Sequence, residues 1–296
     1  MAFGIPYKGS KNIYAKKILE ILPSGRRLVD LFAGGCAITD CAIKMFNNKW
    51  DYYLINDIQK EPVDLYYSCL KGECPVSYKW VSREEFATAD WATRLVWSFS
   101  NNGCTYLYGK AIEDIKKEVE LWITDNIKFS SELLKDIELP DLPDYQSRYK
   151  WWCSNRKRLS KGLNLETHRL EAINRLQAIE AINRLQDIER IDRLNKLQNN
   201  DILERIEITY NSYELYKYQE GDVVYCDIPY QATACELYEG FNHQAFWEWA
   251  KAQPYEVFVS ERIIPEGCEV LLKRDVPNRA NRKGVDGYKT EYLVCV

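Results

Sequence analysis

The stretch from Arg27 to Asp57 restricts the possible folds more than any other part of the chain. Leu28 to Phe32 is a short apolar run of strand character. Ala33-Gly34-Gly35 then turns the chain into an amphipathic segment that runs to about Phe46. A second run, Tyr52-Tyr53-Leu54-Ile55, ends in Asn56-Asp57. Strand, glycine turn, helix and strand in that order predict a βαβ unit, and so an α/β fold with a parallel sheet. Consecutive glycines let the backbone approach a ligand without Cβ interference and take positive φ. The N–H groups at the helix start beyond them favour a carboxylate or phosphate. An acid about 20 residues past such a turn stands where a ribose diol is held. The glycines do not follow GxGxxG, which counts against a dinucleotide, and the whole pattern points to an adenosyl cofactor.

A second stretch carries chemistry. Val223-Val224-Tyr225-Cys226 reads as a buried strand that exits through Asp227-Ile228-Pro229-Tyr230. Open α/β sheets bind ligands at the carboxyl ends of their strands, where Asp227 would sit. Pro229 has no N–H and stiffens the exit turn. It also biases Ile228 towards extended backbone, turning the Ile228 carbonyl outwards beside the Asp227 carboxylate. Two acceptors beside the aromatic face of Tyr230 suit a flat ring bearing an exocyclic NH₂. An ordinary strand-ending turn is the competing reading of the tetrapeptide alone. Near the N-terminus, Tyr7-Lys8-Gly9-Ser10-Lys11-Asn12 precedes an amphipathic segment from Ile13 to Leu22. It reads either as a surface turn or as a loop over an anionic ligand, with Lys11 near its carboxylate.

Asp30-Leu31-Phe32-Ala33-Gly34-Gly35 resembles the FxGxG cofactor motif of S-adenosylmethionine-dependent DNA adenine-N6 methyltransferases. Asp227-Ile228-Pro229-Tyr230 resembles their DPPY catalytic motif, and Tyr7 to Asn12 the lysine-bearing N-terminal motif of the Dam-like, D12-class members. Further likenesses are Trp97 to Gly103, Phe241-Asn242-His243 and Val259-Ser260-Glu261. The motif order is similar to the family's alpha group. The resemblance implies a Rossmann-like methyltransferase sheet with an inserted, largely helical target-recognition region. The catalytic domain would be residues 1–75 and 205–296, and the insert 76–204. It further implies S-adenosyl-L-methionine as cofactor, held by Tyr7, Lys11, Asp30, Phe32, Ala33, Gly34, Gly35 and Asp57. Asp227, Ile228, Pro229 and Tyr230 would act on an adenine flipped out of double-stranded DNA. The chain departs from the family at Ile228, where proline is usual. If Ile228 contributes only its carbonyl, Ile228→Pro should keep or raise activity; a side chain filling a pocket would make that change damaging. Methylation of RNA adenine or a protein amide nitrogen, and a catalytically inactive DNA-binding relative, are the alternative readings.

Between the motifs, Trp91 to Phe99 reads as helix or strand, and Ile112 to Lys135 carries charges in helical rhythm. Tyr149-Lys150-Trp151-Trp152 is followed by Arg156, Lys157, Arg158 and Lys161. Basic residues among aromatics suit phosphate contact and base stacking, or form a solvated face beside buried tryptophans. Residues 169–198 hold a nine-residue repeat with apolar residues at every third position, expected to be a spacer or interaction arm. Each step of three slips about 60° round an α-helix, so the stripe would wind round a straight one. Gln231 to Gly240 is small and polar enough for a lid, and His243 at a helix start reads as structural rather than as a general base. Lys273, Arg274, Arg279, Arg282, Lys283 and Lys289 make the C-terminal segment basic, a loop able to hold phosphates or simply solvated.

With 40 basic and 44 acidic residues, any nucleic-acid contact must be local. No apolar run reaches membrane length, and the first residues lack a signal peptide's pattern. The ten cysteines show no CxxC or zinc spacing, so no metal is expected and a cytoplasmic setting is. A restriction endonuclease partner, or none in a phage or orphan enzyme, is compatible with this reading.

Overall fold

The computed structural model describes residues 2–74, 79–131, 134, 137–162, 187–195, 200–231, 240–277 and 288–296. The chain divides into two compact units. One comprises Met1–Ile5, Gly9–Gly72 and Leu197–Val296, and the other Pro6–Lys8 and Glu73–Lys196.

The first unit is built on seven strands: β1 (Gly25–Asp30), β2 (Trp50–Asn56), β3 (Ile206–Thr209), β4 (Asp222–Cys226), β5 (Val257–Glu261), β6 (Glu269–Pro277) and β7 (Tyr288–Cys295). They lie in the order β3-β2-β1-β4-β5-β7-β6. The first five are parallel, and β7 runs antiparallel between β5 and β6. This is a Rossmann-like sheet, consistent with the fold that the resemblance implies. The chain moves outwards from β1 to β3 and then returns to the other side of β1 with β4. That reversal makes a crevice at the carboxyl ends of β1 and β4, the place where such sheets bind ligands.

The near-continuous apolar runs follow from burial on both faces. Leu28 and Val223 pack with helices α1 (Ala15–Ile21) and α2 (Ala37–Met45) on one side. Their neighbours Val29 and Val224 face the opposite layer, with Leu31, Leu54, Phe246 and Trp247. Each such side chain contributes about 1.5–3 kcal/mol when fully buried. Helix α3 (Lys60–Lys71) follows β2. At the amino ends of the strands, Arg27 makes a two-point contact with Asp222, 2.9 and 2.8 Å, and a third bond to Glu207 at 2.8 Å. At the carboxyl ends, Asn56 donates to the carbonyls of Leu31 and Asn211 and accepts from Thr209 Oγ1 and the Asn211 amide. One side chain thus pins the ends of β1, β2 and β3 together.

The second unit carries α4 (Arg83–Thr88), α5 (Trp91–Val96), α6 (Glu113–Asp125), α7 (Tyr145–Gly162) and a helical stretch, α8, over 187–195. A Ser82–Glu85 capping box starts α4, and Asp90 caps α5. Trp91 to Val96 is therefore helix. The charge rhythm expected to continue to Lys135 stops as a helix at Asn126, which takes a left-handed backbone (φ 59°). Arg148 on α7 satisfies freed carbonyls there, donating to Ile123 and Thr124. In the described part of the repeat, Ile188, Ile191 and Leu194 are all buried. Over two steps the drift is about 120°, narrow enough for one packed face. A short helix α9 (Asn200–Leu203) leads back to β3, and α10 (His243–Lys251) lies between β4 and β5 in the chain. Among the described residues, no helix is long and apolar enough to cross a membrane.

The basic C-terminal segment departs from expectation. Lys273 and Arg274 lie in β6, paired with β7, and so form an edge strand instead of a loop. Arg279, Arg282 and Lys283 fall outside the described residues, as do the larger part of the repeat and most of the expected lid.

Candidate active site

Four strands of the parallel sheet end in acids. Asp30 closes β1, Asp57 follows β2, Asp227 follows β4 and Glu261 closes β5. Parallel register brings these ends to one edge of the sheet, around the crevice between β1 and β4.

After Asp30 the backbone turns through Gly34 (φ 47°) and Cys36 (φ 57°) into α2. The Gly34 amide donates to Asp57 Oδ2 at 2.7 Å, and the Gln59 amide to Asp57 Oδ1 at 2.8 Å. The glycine turn and the acid after β2 are thus directly joined. The N-terminal segment lies over the turn, with the Ile5 amide donating to the Gly35 carbonyl at 2.9 Å. A Cβ on Gly4 (φ 65°) would run into that carbonyl, so only glycine fits there. Phe32 packs among Tyr213, Phe241 and Phe246.

Asp30 Oδ2 accepts from Thr39 Oγ1 at 2.9 Å, while its Oδ1 is buried with no hydrogen-bond partner among the described residues. Burial pushes this carboxyl up to about 7, against the Thr39 bond, with the charges of Asp227 and Asp57 adding to the rise. Burial likewise raises Asp57, opposed by the two amides it accepts.

Lys11 is 7% exposed and ion-paired with Asp227, Nζ to Oδ1 at 2.5 Å. Expected beside a cofactor carboxylate, it instead faces the acid of the Asp227–Tyr230 turn. Burial pulls the Lys11 ammonium down, but the adjacent Asp227 outweighs it and the net shift is upward. Burial also raises the Asp227 carboxyl, and Lys11 opposes that rise. Lys11 Nζ and the Arg262 guanidinium each lie 4.5 Å from the Tyr230 ring centroid. Arg262 in turn binds Glu291 at 2.9 Å.

Ile228 is 2% exposed and packs in the core with Val29, Leu31, Val224 and Phe246. The side chain therefore fills a core position, which is the case in which Ile228→Pro is expected to be damaging. His243 Nε2 lies 2.6 Å from the Pro229 carbonyl oxygen.

Tyr7 belongs to the second unit, its ring 6.4 Å from that of Trp91. Trp151 and Trp152, half-buried, pack against the buried Trp122 of that unit, which favours a packing role for the aromatics beside the basic run. Arg156, Lys157, Arg158 and Lys161 lie along α7. The sequence reading assigned no role to Glu261, Arg262 or Asn56. The signal for Glu261 was present: an acid closing an apolar strand, the pattern already used for Asp57 and Asp227. Arg262 and Asn56 have no such mark, since their partners come from distant segments. Among the described residues, no group of three or more His, Cys, Asp or Glu could hold a metal ion.

Residues 7–119 match the family model for D12 class N6 adenine-specific DNA methyltransferase. The match includes the Lys11 segment, the glycine turn and Asp57, and ends before the Asp227 turn. No curated protein matches the chain.

Proposed function

We propose that the chain is an N6 adenine-specific DNA methyltransferase of the D12 class, the family whose model matches residues 7–119, and that it methylates a flipped-out adenine at a specific site in duplex DNA, with S-adenosylmethionine as donor. The observation that carries the proposal is the buried Lys11–Asp227 pair at the switch point, beside a glycine turn tied to Asp57. Lys11 opposes the upward push of burial on Asp227 and so favours its carboxylate, the form that accepts hydrogen bonds from an amine.

The residues around the glycine turn fit the donor. Asp30 presents a buried oxygen with no hydrogen-bond partner among the described residues, suited to a cationic group. Asp57 and the backbone of Ala33, Gly34 and Gly35 suit a ribose and a close-lying ligand, with Phe32 as apolar backing. When bound, S-adenosylmethionine supplies a methyl group made electrophilic by its sulfonium.

Adenine N6 is a poor nucleophile because its lone pair is delocalised into the ring. Asp227 and the Ile228 carbonyl, by accepting its two hydrogens, favour a pyramidal nitrogen with the lone pair free. The carboxylate also stabilises the positive charge that develops on N6. Alignment of the two reactants contributes much of the remaining acceleration. A base inside a duplex is out of reach, so it must leave the stack, with Tyr230 as its platform. Arg262 and Lys11 against the Tyr230 ring fix that platform.

The second unit serves as the target-recognition region, with Arg156, Lys157, Arg158 and Lys161 of α7, and Arg282 of the first unit, as phosphate contacts. The enzyme works in the cytoplasm, alone or beside a restriction endonuclease. Incubating the full chain with labelled S-adenosylmethionine and duplex DNA, then sequencing modified bases, tests the reading, with RNA and protein as parallel substrates. Methyladenine at a defined DNA site is expected, and Asp227→Asn should lower kcat by roughly 10²–10³-fold, the scale of losing one transition-state contact. Labelling of RNA or protein alone, or an Asp227→Asn enzyme at full rate, would contradict it.

A further inference from the structure

We infer that His243 is a positioning residue for the catalytic turn: its ring N–H holds the Pro229 carbonyl and so fixes the Asp227–Tyr230 backbone. The inference rests on the methyl-transfer reading above. His243 Nε2 is 2.6 Å from Pro229 O. A carbonyl oxygen only accepts, so Nε2 must carry the proton. A nitrogen already donating to the backbone is not free to take a proton from substrate, which removes Nε2 as a general base.

The turn needs such a support. Its first peptide is set by Ile228, which lacks proline's ring constraint. Two contacts from one helix make good that loss. Phe246 on α10 packs in the same core cluster as the Ile228 side chain, and His243, at the first position of α10, holds the next carbonyl along. On the far side of the turn, Glu261 Oε1 accepts the Gln231 amide at 3.4 Å and the Arg262 amide at 2.7 Å. The His243 ring is itself fixed. Phe241 packs edge-on to it at 4.9 Å, and Asn242 caps α10 by accepting the Ala245 amide at 3.0 Å. Phe241 also touches Phe32, 5.8 Å away in the loop after β1. One short segment, Phe241 to Phe246, thereby braces the β1 loop and the catalytic turn together. Misplacing reacting groups by about 1 Å can cost on the order of 10²-fold in rate.

The test compares His243→Gln with His243→Met in the full chain. The two side chains are similar in length, but only glutamine can donate to Pro229 O. Gln244→Ala serves as control, because Gln244 is exposed and bonds only along its own helix to Glu248. The expected result is a kcat about 10–100-fold lower for Met, with cofactor Kd and DNA KM within about threefold of wild type, and a kcat restored most of the way by Gln. If Gln is as inactive as Met while both fold, His243 moves a proton and the inference is overturned. If Met lowers the melting temperature but leaves kcat unchanged, the contact is merely structural and the inference is again overturned. A wild-type chain that fails to methylate adenine in DNA breaks the functional reading itself, before any variant is made.

Discussion

Asp222 and Asp30 lie on adjacent parallel strands and are both buried at a strand end, yet their surroundings are opposite. Asp222, at the start of β4, accepts two bonds from Arg27, one from the Gln219 amide and one from the Tyr216 hydroxyl. Burial alone would raise its carboxyl, but these bonds outweigh it and hold it below the usual range. Asp30, at the end of β1, has one oxygen on Thr39 and the other without a hydrogen-bond partner among the described residues, and burial takes it up to about 7. Among the described residues, Glu261 Oε2 and Arg262 Nε near the carboxyl ends likewise have no hydrogen-bond partner. The atoms of β2 in that condition, Trp50 Nε1 and Tyr53 Oη, belong to neutral groups by contrast. The amino ends of the strands are finished for stability. The carboxyl ends keep charge in reserve for something that the folded chain does not itself supply.

The largest effect should come from the finished end. Arg27→Met strips the buried Asp222 of its partner, and losing one member of a buried pair costs about 3–5 kcal/mol. Denaturant titration should show that loss, with cofactor affinity of the remaining folded protein unchanged. A loss under 1 kcal/mol, the usual worth of an exposed pair, would erase the contrast between the ends.

Ile228→Pro sharpens the comparison from the other side. In the proposed reaction the Asp227–Tyr230 turn acts through its backbone and acid, while the Ile228 side chain lies in the core. Replacing a buried isoleucine with a smaller ring should cost about 2 kcal/mol or more, seen as a lower melting temperature together with a lower methylation rate. A variant as stable and active as wild type would mean that the packing of Ile228 is dispensable.

Asp57→Ala is expected to weaken S-adenosylmethionine binding by about 1–3 kcal/mol, the range for leaving buried polar groups unpaired. Calorimetry reads this directly, and unchanged affinity would remove Asp57 from the ribose.

Much of this geography was legible in the residues. Apolar runs closing in an acid located β2 and β4, and the apolar run before the glycine turn located β1, because strands covered on both faces are largely apolar along their length. The glycine turn after Phe32 was legible because its backbone demands small residues. The partner of Lys11 was not, since Asp227 is remote in sequence and only the sheet's parallel register brings them together. Nor was β6, whose consecutive charges Lys273-Arg274-Asp275 suit an edge strand as well as a loop. Trp151 and Trp152 beside basic residues fitted both stacking and packing, and only the position of Trp122 against them favours packing.

The central claim is that the carboxyl ends hold electrostatic strain which the amino ends do not, and the stability of Asp30→Asn against pH tests it most directly. A carboxyl raised to about 7 in the fold binds its proton more tightly than in the unfolded chain. Its stabilising contribution is complete below its ordinary value near 4 and is lost as pH rises through about 7. Ligand-free wild type should therefore lose stability between about pH 4 and pH 7, and Asp30→Asn, which carries no charge there, should lose less. At pH 8 the variant should be the more stable by on the order of 1 kcal/mol, the cost of an unpaired buried group, whereas Asp222→Asn should be less stable than wild type. An Asp30→Asn protein less stable than wild type at pH 8 would show that Asp30 is satisfied in the fold, and would contradict the account.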